Sequence, residues 1–334
     1  MEDNLTLKLD NLKKRVLDFK VKTLYGEENI NLKNDEVIVL CLVKNGEIYI
    51  EEFVKHYFKL GVKHIVFLDN GSSDKTIEYS SKFNNITILQ TEFPFRNTNE
   101  MRMRDYLIER FAKNHWSLCV DIDEFFDYPF SDKIPLNKLI EYLNENSYTA
   151  VVCHMLDMFP FSISRYSEKQ FIRKNHKYYD LSAIKKIDYY FDNGRIFKGN
   201  IKIYLGGIRN ILFGIDSFLI KHALLFKNEQ TVRSRLGHTL INGKIADFTA
   251  VLFHYKFTRD FFYYVEDAFN REYHYKNSSD HKFYYKILSK KENLVIKQDT
   301  SVRFKNMREL LDNNFLIVSQ QFRNFSEKKN SPNI

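Results

Sequence analysis

The first clear pattern in the chain is Val37 to Val43, VIVLCLV, seven apolar residues in a row. An unbroken run of this length reads as a strand covered on both faces, as strands of parallel sheets are. Asn45-Gly46 then turns the chain, and Ile48, Phe53, Val54, Tyr57 and Leu60 recur near helical spacing up to Gly61, a residue suited to ending a helix. The alternation repeats with strand His64 to Leu68, polar loop Asp69 to Lys75, helix Thr76 to Phe83, strand Ile86 to Leu89, helix Asn99 to Lys113 and strand Trp116 to Val120. Four such units predict an α/β fold with a doubly wound, mostly parallel sheet.

Beyond Asp132 the pattern loosens. Leu136 to Leu143 has helical spacing and Tyr148 to Met158 reads as another strand. Tyr178 to Phe226 holds short, aromatic, alternating segments broken by Asn193-Gly194 and Gly206-Gly207; a strand follows at Ala250 to Tyr255. From Arg259 onward, FFYYVEDAFNREYHYK and later segments read as amphipathic helices.

Composition narrows the function classes. With 334 residues, 44% hydrophobic and 16% aromatic, the chain can bury one large core or two modest ones. It has no apolar run near the ~20 residues of a spanning helix and no signal-peptide core at its N-terminus, which points to a cytoplasmic protein. Cys41, Cys119 and Cys153 each sit in an apolar run without metal-ligand spacing, and so read as reduced core residues. Residues 1–150 carry a net charge of −5 and residues 151–334 one of +13. A basic second half suits an anionic acceptor or the anionic face of a membrane, or is simply a solvated surface. Nucleic acid is disfavoured, because no binding motif accompanies the charge.

The candidate chemistry lies where the fourth strand ends. Trp116 to Tyr128 reads WSLCVDIDEFFDY, so that Asp121-Ile122-Asp123-Glu124 falls at the carboxyl end of a buried strand, where open α/β sheets bind ligands. In an extended strand Asp121 and Asp123 leave the same face, and two hard oxygen ligands suit Mg²⁺ or Mn²⁺. The loop Asp69-Asn70-Gly71-Ser72-Ser73-Asp74 also follows a strand and opens a helix. On its own it is a capped turn.

Together these segments resemble a known family. Val43-Lys44-Asn45, Glu51-Glu52-Phe53, the Asp69–Asp74 loop and Val120-Asp121-Ile122-Asp123-Glu124-Phe125 resemble the nucleotide-sugar half of a GT-A glycosyltransferase, of the family 2 type whose motif reads Asp-x-Asp-Glu-Phe. Gly206-Gly207-Ile208-Arg209-Asn210, Lys221-His222-Ala223-Leu224-Leu225, Gly237-His238 and Leu252 to Phe257 add to the likeness, which spans residues 35 to 270. It implies an N-terminal extension at 1–34, a nucleotide-sugar-binding half at 35–132, an acceptor-binding half at 133–258 and C-terminal helices at 259–334.

The resemblance also implies roles. Asp123 would coordinate the metal, Asp121 would reach the ribose or share the metal, and His254 would be a further metal ligand. Asp69 matches the nucleobase contact, Lys44 and Asn45 would line the same pocket, and Lys256 could touch the diphosphate. Asn70 departs from the second Asp that many members carry in this loop. Inversion requires a base for the acceptor hydroxyl. Asp157, Asp216, Asp247 and His238 are candidates that the sequence does not rank. Arg102 and Arg104 either anchor phosphate or solvate their helix, and solvation is the reading preferred here. The expected activity is transfer of a sugar from a nucleotide-sugar donor to a surface glycan such as lipopolysaccharide or capsular polysaccharide, with lipid-linked acceptors inviting peripheral contact with the inner face of the plasma membrane. A haloacid-dehalogenase-type phosphatase is a rival that carries its Asp-x-Asp on the first strand, and a nucleotidyltransferase would need a Gly-rich phosphate loop. A non-catalytic glycan- or membrane-binding protein is the third.

Overall fold

A computed structural model describes residues 20–94, 97–166, 172–234, 238–271 and 275–328. Expectations for residues 1–19, for Gly237 and for residues 272–274 therefore lie outside the described residues.

Among the described residues, ten strands form one mixed sheet. Its first half is β1 (Val21–Tyr25), β2 (Val37–Val43), β3 (His64–Asp69), β4 (Ile86–Thr91) and β5 (Trp116–Asp121), arranged in the order β1-β4-β3-β2-β5. β2, β3, β4 and β5 are mutually parallel, as the apolar runs predict, and β1 adds an antiparallel edge. Past β5 come Leu224–Phe226, Ala150–Asp157, Ile245–His254 and, at the far edge, Glu124–Asp127, with Ile220–Lys221 paired beside Ala150–Asp157. Leu224–Phe226 is antiparallel to both β5 and Ala150–Asp157, and Ile245–His254 is parallel to Ala150–Asp157. Six long strands thus point the same way. Their carboxyl ends share one edge.

Alternation along β2 shows why the sheet is wound on both faces. Val37, Val39, Cys41 and Val43 pack with Phe53, Val54 and Tyr57 of the Glu47–Leu60 helix, while Ile38, Leu40 and Leu42 pack with Met103, Leu107 and Phe111 of the Asn97–Phe111 helix. Truncating a fully buried ring such as Phe53 to Ala would cost about 3–5 kcal/mol. Gly61 ends its helix at φ 102°, a left-handed conformation that glycine adopts without a Cβ penalty. All three cysteines are free and buried, as expected.

The second half departs from expectation in its details. The predicted strand at Ala250 begins at Ile245 and the helix predicted to Phe83 stops at Ser80. A short helix, Ile208–Phe213, follows the double glycine. Gly206 is required there, since a Cβ would lie 2.7 Å from the Ala183 carbonyl oxygen. The helices Asp260–Arg271 and Tyr275–Leu288 pack Phe261, Val265, Tyr284 and Leu288 around Phe213 and Phe257 as a further apolar cluster. Near the end of the chain, Phe322 stacks on Phe248 with ring centroids 4.0 Å apart.

Candidate functional site

Asp69, Asp121, Asp157 and His254 are each the last residue of a strand at the shared edge. The strand alternation proposed for Asp121 and Asp123 is corrected here. The strand ends at Asp121, Ile122 and Asp123 form a turn, and the chain re-enters the sheet at its far edge as Glu124–Asp127. Asp123 is therefore delivered by the turn, whose main chain is held by the Tyr255 N–H donating to the Asp123 carbonyl at 2.9 Å.

The Asp69 loop is closed by neutral donors. The fully buried Asp69 carboxylate accepts from the N–H groups of Gly71 and Ser72 at 3.0–3.2 Å and from Gln90 Nε2 at 3.2 Å. Asn70 donates to the carbonyls of Thr91 and Phe93. Asn45, at φ 53°, accepts from the Ser73 N–H at 2.8 Å and donates its own N–H to Ser72 Oγ at 2.8 Å. Asp74 accepts from the N–H groups of Glu47 and Thr76, each at 3.0 Å. Lys44 is exposed beside this lattice.

The Asp121 turn is closed by ions instead. Asp121 is bonded by Arg104 through one carboxylate oxygen and by Lys221 through the other. Arg104 also pairs with Glu100 at 2.9 Å, and Lys221 with Glu124 at 2.6 Å. Burial opposes the charge on Asp121, but Arg104 and Lys221 outweigh it and hold the carboxyl well below the usual range. Arg104 is thus no surface solvator, being only 4% exposed. Glu124 is fully buried; it accepts the Asp121 N–H at 2.9 Å, and burial raises its carboxyl above its ordinary value.

A second chain of charges adjoins the first. Arg209 grips Asp157 side-on, Nε and Nη2 donating at 2.8 and 2.7 Å. Asp157 Oδ1 lies 2.6 Å from His254 Nδ1, and His254 Nε2 lies 3.2 Å from Asp123 Oδ2. Burial alone would lower the imidazole, but Asp123 and Asp157 push it up to about 9, so an ion taken up at Nε2 would have to displace the proton there. His254 in turn holds Asp123 below the usual carboxylate range against the cost of burial.

These donors suit a divalent ion. A carboxylate on the Nδ1 side of a histidine is the arrangement that orients an imidazole toward a metal through Nε2. Two cis ligands of an octahedral ion, each about 2.1 Å away, stand about 3.0 Å apart, close to the observed separation of Asp123 and His254. Among the described residues no group of three or more His, Cys, Asp and Glu side chains is placed to hold an ion.

The other predicted residues are dispersed. The Lys256 ammonium lies 5.1–5.7 Å from the ring centroids of Phe261, Tyr264 and Tyr284, over the C-terminal helices. His238 stacks on Phe218, and its Nδ1 sits 3.2 Å from the Ile220 carbonyl, next in sequence to Lys221. Asp216 is bound by Lys185 at 2.5 Å and Asn210 at 2.8 Å. Asp247 is not brought to the site. It lies near the opposite end of the strand that His254 closes, about 23 Å away at the usual rise, and accepts from Tyr142 and Ser319. Sequence reasoning assigned no role to Arg209, Lys221 or Glu124.

No family model and no curated protein matches the chain. Among solved structures, S. aureus TarS is 20% identical over 37% of this chain and 21% of its own, with a TM-score of 0.28. TarS residues 1–349 give 14% identity over 71% of this chain and 65% of that one, with a TM-score of 0.34. The mannosyltransferase PcManGT from Pyrobaculum calidifontis, in complex with GDP-Man and Mn²⁺, gives 16% identity over 35% of each chain and a TM-score of 0.28. The chain thus spans less than two thirds of the length of each of these proteins. Superpositions this loose do not bear on the chemistry, which rests on the site's own geometry.

Proposed function

We propose that this chain is a metal-dependent glycosyltransferase of the GT-A, family 2-like kind. It would move a sugar, with inversion, from a nucleotide-sugar donor to a surface-glycan acceptor such as lipopolysaccharide or capsular polysaccharide. The observation that carries the reading is Asp123 facing His254 Nε2, with Asp157 on the other ring nitrogen, at the carboxyl edge of the sheet. Asp123 and His254 would hold Mn²⁺ or Mg²⁺, which when bound neutralises charge on a departing diphosphate.

The remaining residues have supporting roles. Arg209 keeps Asp157 ionised, and Asp157 keeps the imidazole aimed. Arg104 and Lys221 hold Asp121 in one orientation, and Asp121 would meet the ribose as the resemblance implies. With both oxygens so engaged, Asp121 is a poor nucleophile, which counts against the phosphatase reading. Lys256 would be the diphosphate contact that the resemblance implies. Among the base candidates His238 is preferred, because burial favours its neutral form and Nδ1–H donates to the Ile220 carbonyl, leaving Nε2 to accept. The enzyme would work at the cytoplasmic face of the membrane. Among the described residues no helix is long and apolar enough to cross it.

The test is a panel of nucleotide sugars scored for protection against thermal unfolding with and without Mn²⁺. We expect one donor class to protect only with metal, and Asp123→Asn to abolish the effect. Failure of every donor to protect would sink the assignment.

A further inference from the structure

A cavity of about 530 Å³ lies behind the candidate site, within the size range of small-molecule sites. Its floor is apolar and aromatic: Met158, Phe253 and Tyr255 are nearly sealed from solvent, and Phe304 completes it. Phe253 and Tyr255 flank His254 in sequence and face the opposite side of the sheet. Met158 follows Asp157, and its N–H donates to the His254 carbonyl at 2.8 Å. The floor is therefore the reverse side of the backbone that carries His254 and Asp157.

The rim is cationic. Arg173, Lys174 and Lys177 approach from one wall and Arg303 from the other, all solvent-exposed, and none of the lining residues is an Asp or Glu. The two walls are tied together, because the Phe304 N–H donates to the Lys177 carbonyl at 2.8 Å and Arg303 pairs with Tyr178 across a short antiparallel ladder. Arg173 is held in place, its guanidinium 5.2 Å from the Phe125 ring centroid and its Nη1 3.3 Å from His56 Nδ1. Outside the lining, Glu52 accepts the Arg173 main-chain N–H at 3.4 Å and its charge reaches Tyr255, and the Asp127 carboxylate feels Arg173, so that Arg173 is partly countered while Lys174, Lys177 and Arg303 face the opening. The positive field reaches His56, where burial and then Arg173 push the imidazole down to about 4. Four like charges gathered over an apolar floor repel one another, and a multiply charged anion relieves that repulsion.

We propose that this rear cavity is a second binding site, for a small multiply charged phosphate-bearing anion whose charge meets the four cations and whose body covers the aromatic floor. It is independent of the donor site and of the transferase reading.

The test is calorimetric titration of the full chain with inorganic pyrophosphate in EDTA, without nucleotide. We expect saturable binding that weakens about tenfold or more in Lys177→Gln/Arg303→Gln, since each loses a charge-assisted bond. Binding should be unchanged within about twofold in Lys256→Ala, which probes the other phosphate candidate. Unfolding curves of the double variant that overlay wild type would show that the fold is intact. No saturable pyrophosphate binding to wild type, or loss in Lys256→Ala with retention in the double variant, would overturn the proposal.

Discussion

Two acidic segments close the same edge of the sheet by different means. The Asp69–Asp74 loop spends its carboxylates on nearby backbone N–H groups, two or three residues away or on the adjoining Asn45–Glu47 turn. The Asp121–Glu124 turn commits its carboxylates to Arg104, Lys221 and His254, the last two lying in the second half of the chain. The first is a self-contained turn. The second assembles only when the two halves of the fold meet, and burying its ion pairs costs desolvation that the pairs do no more than offset. A protein keeps such a cluster for what it does rather than for stability, and this is why we centre the function there.

The sharpest way to break the comparison is to remove one cation from the ionic side. Arg209→Ala leaves the buried Asp157 carboxylate with His254 as its remaining partner, and we expect it to lose about 3–5 kcal/mol in urea unfolding. A loss under about 1 kcal/mol would mean that the cluster is looser than its geometry implies.

How much of this was legible follows from the same contrast. Val37–Val43, His64–Asp69 and Trp116–Asp121 were readable because strands buried on both faces leave unbroken apolar runs. Val21–Tyr25, VKTLY, was not, because a partly exposed edge strand mixes polar and apolar residues. The Ile122–Asp123 turn was hidden because Phe125 and Phe126 continue the apolar run past it. His254 was found as the end of a strand. Arg209, which grips Asp157 behind it, and Lys221, which pairs with Asp121 and Glu124, stand out in the sequence only as parts of motifs, since nothing local says which carboxylate a distant cation will meet.

A buried histidine of the opposite kind sharpens the contrast further. His154 lies on the strand that ends in Asp157, stacked 3.8 Å from the Tyr204 ring centroid, and burial pushes it down to about 4. Burial lowers it, whereas the carboxylates beside His254 raise that ring. Its folded value lies below the unfolded one of about 6.5, so its stabilising contribution is present above pH ~6.5 and is lost as pH falls toward 4, up to about 3 kcal/mol. We expect urea midpoints to fall across that window and His154→Gln to flatten the fall.

Smaller effects separate the two loops from the surface. Asp74→Ala removes acceptors for the N–H groups of Glu47 and Thr76 and should cost about 1 kcal/mol by thermal unfolding. Asp216→Asn breaks only a half-exposed pair with Lys185 and should cost no more than about 0.5 kcal/mol. If these two effects were reversed in size, the neutral loop would not be the organised lattice described above.

The most direct measurement is Mn²⁺ affinity, read as the free-ion signal by electron paramagnetic resonance, for wild type, Asp123→Asn, His254→Ala and Asp69→Asn. We expect Asp123→Asn and His254→Ala to lose binding while Asp69→Asn keeps it. Wild-type affinity in Asp123→Asn would contradict the assignment of the ionic turn as the metal site.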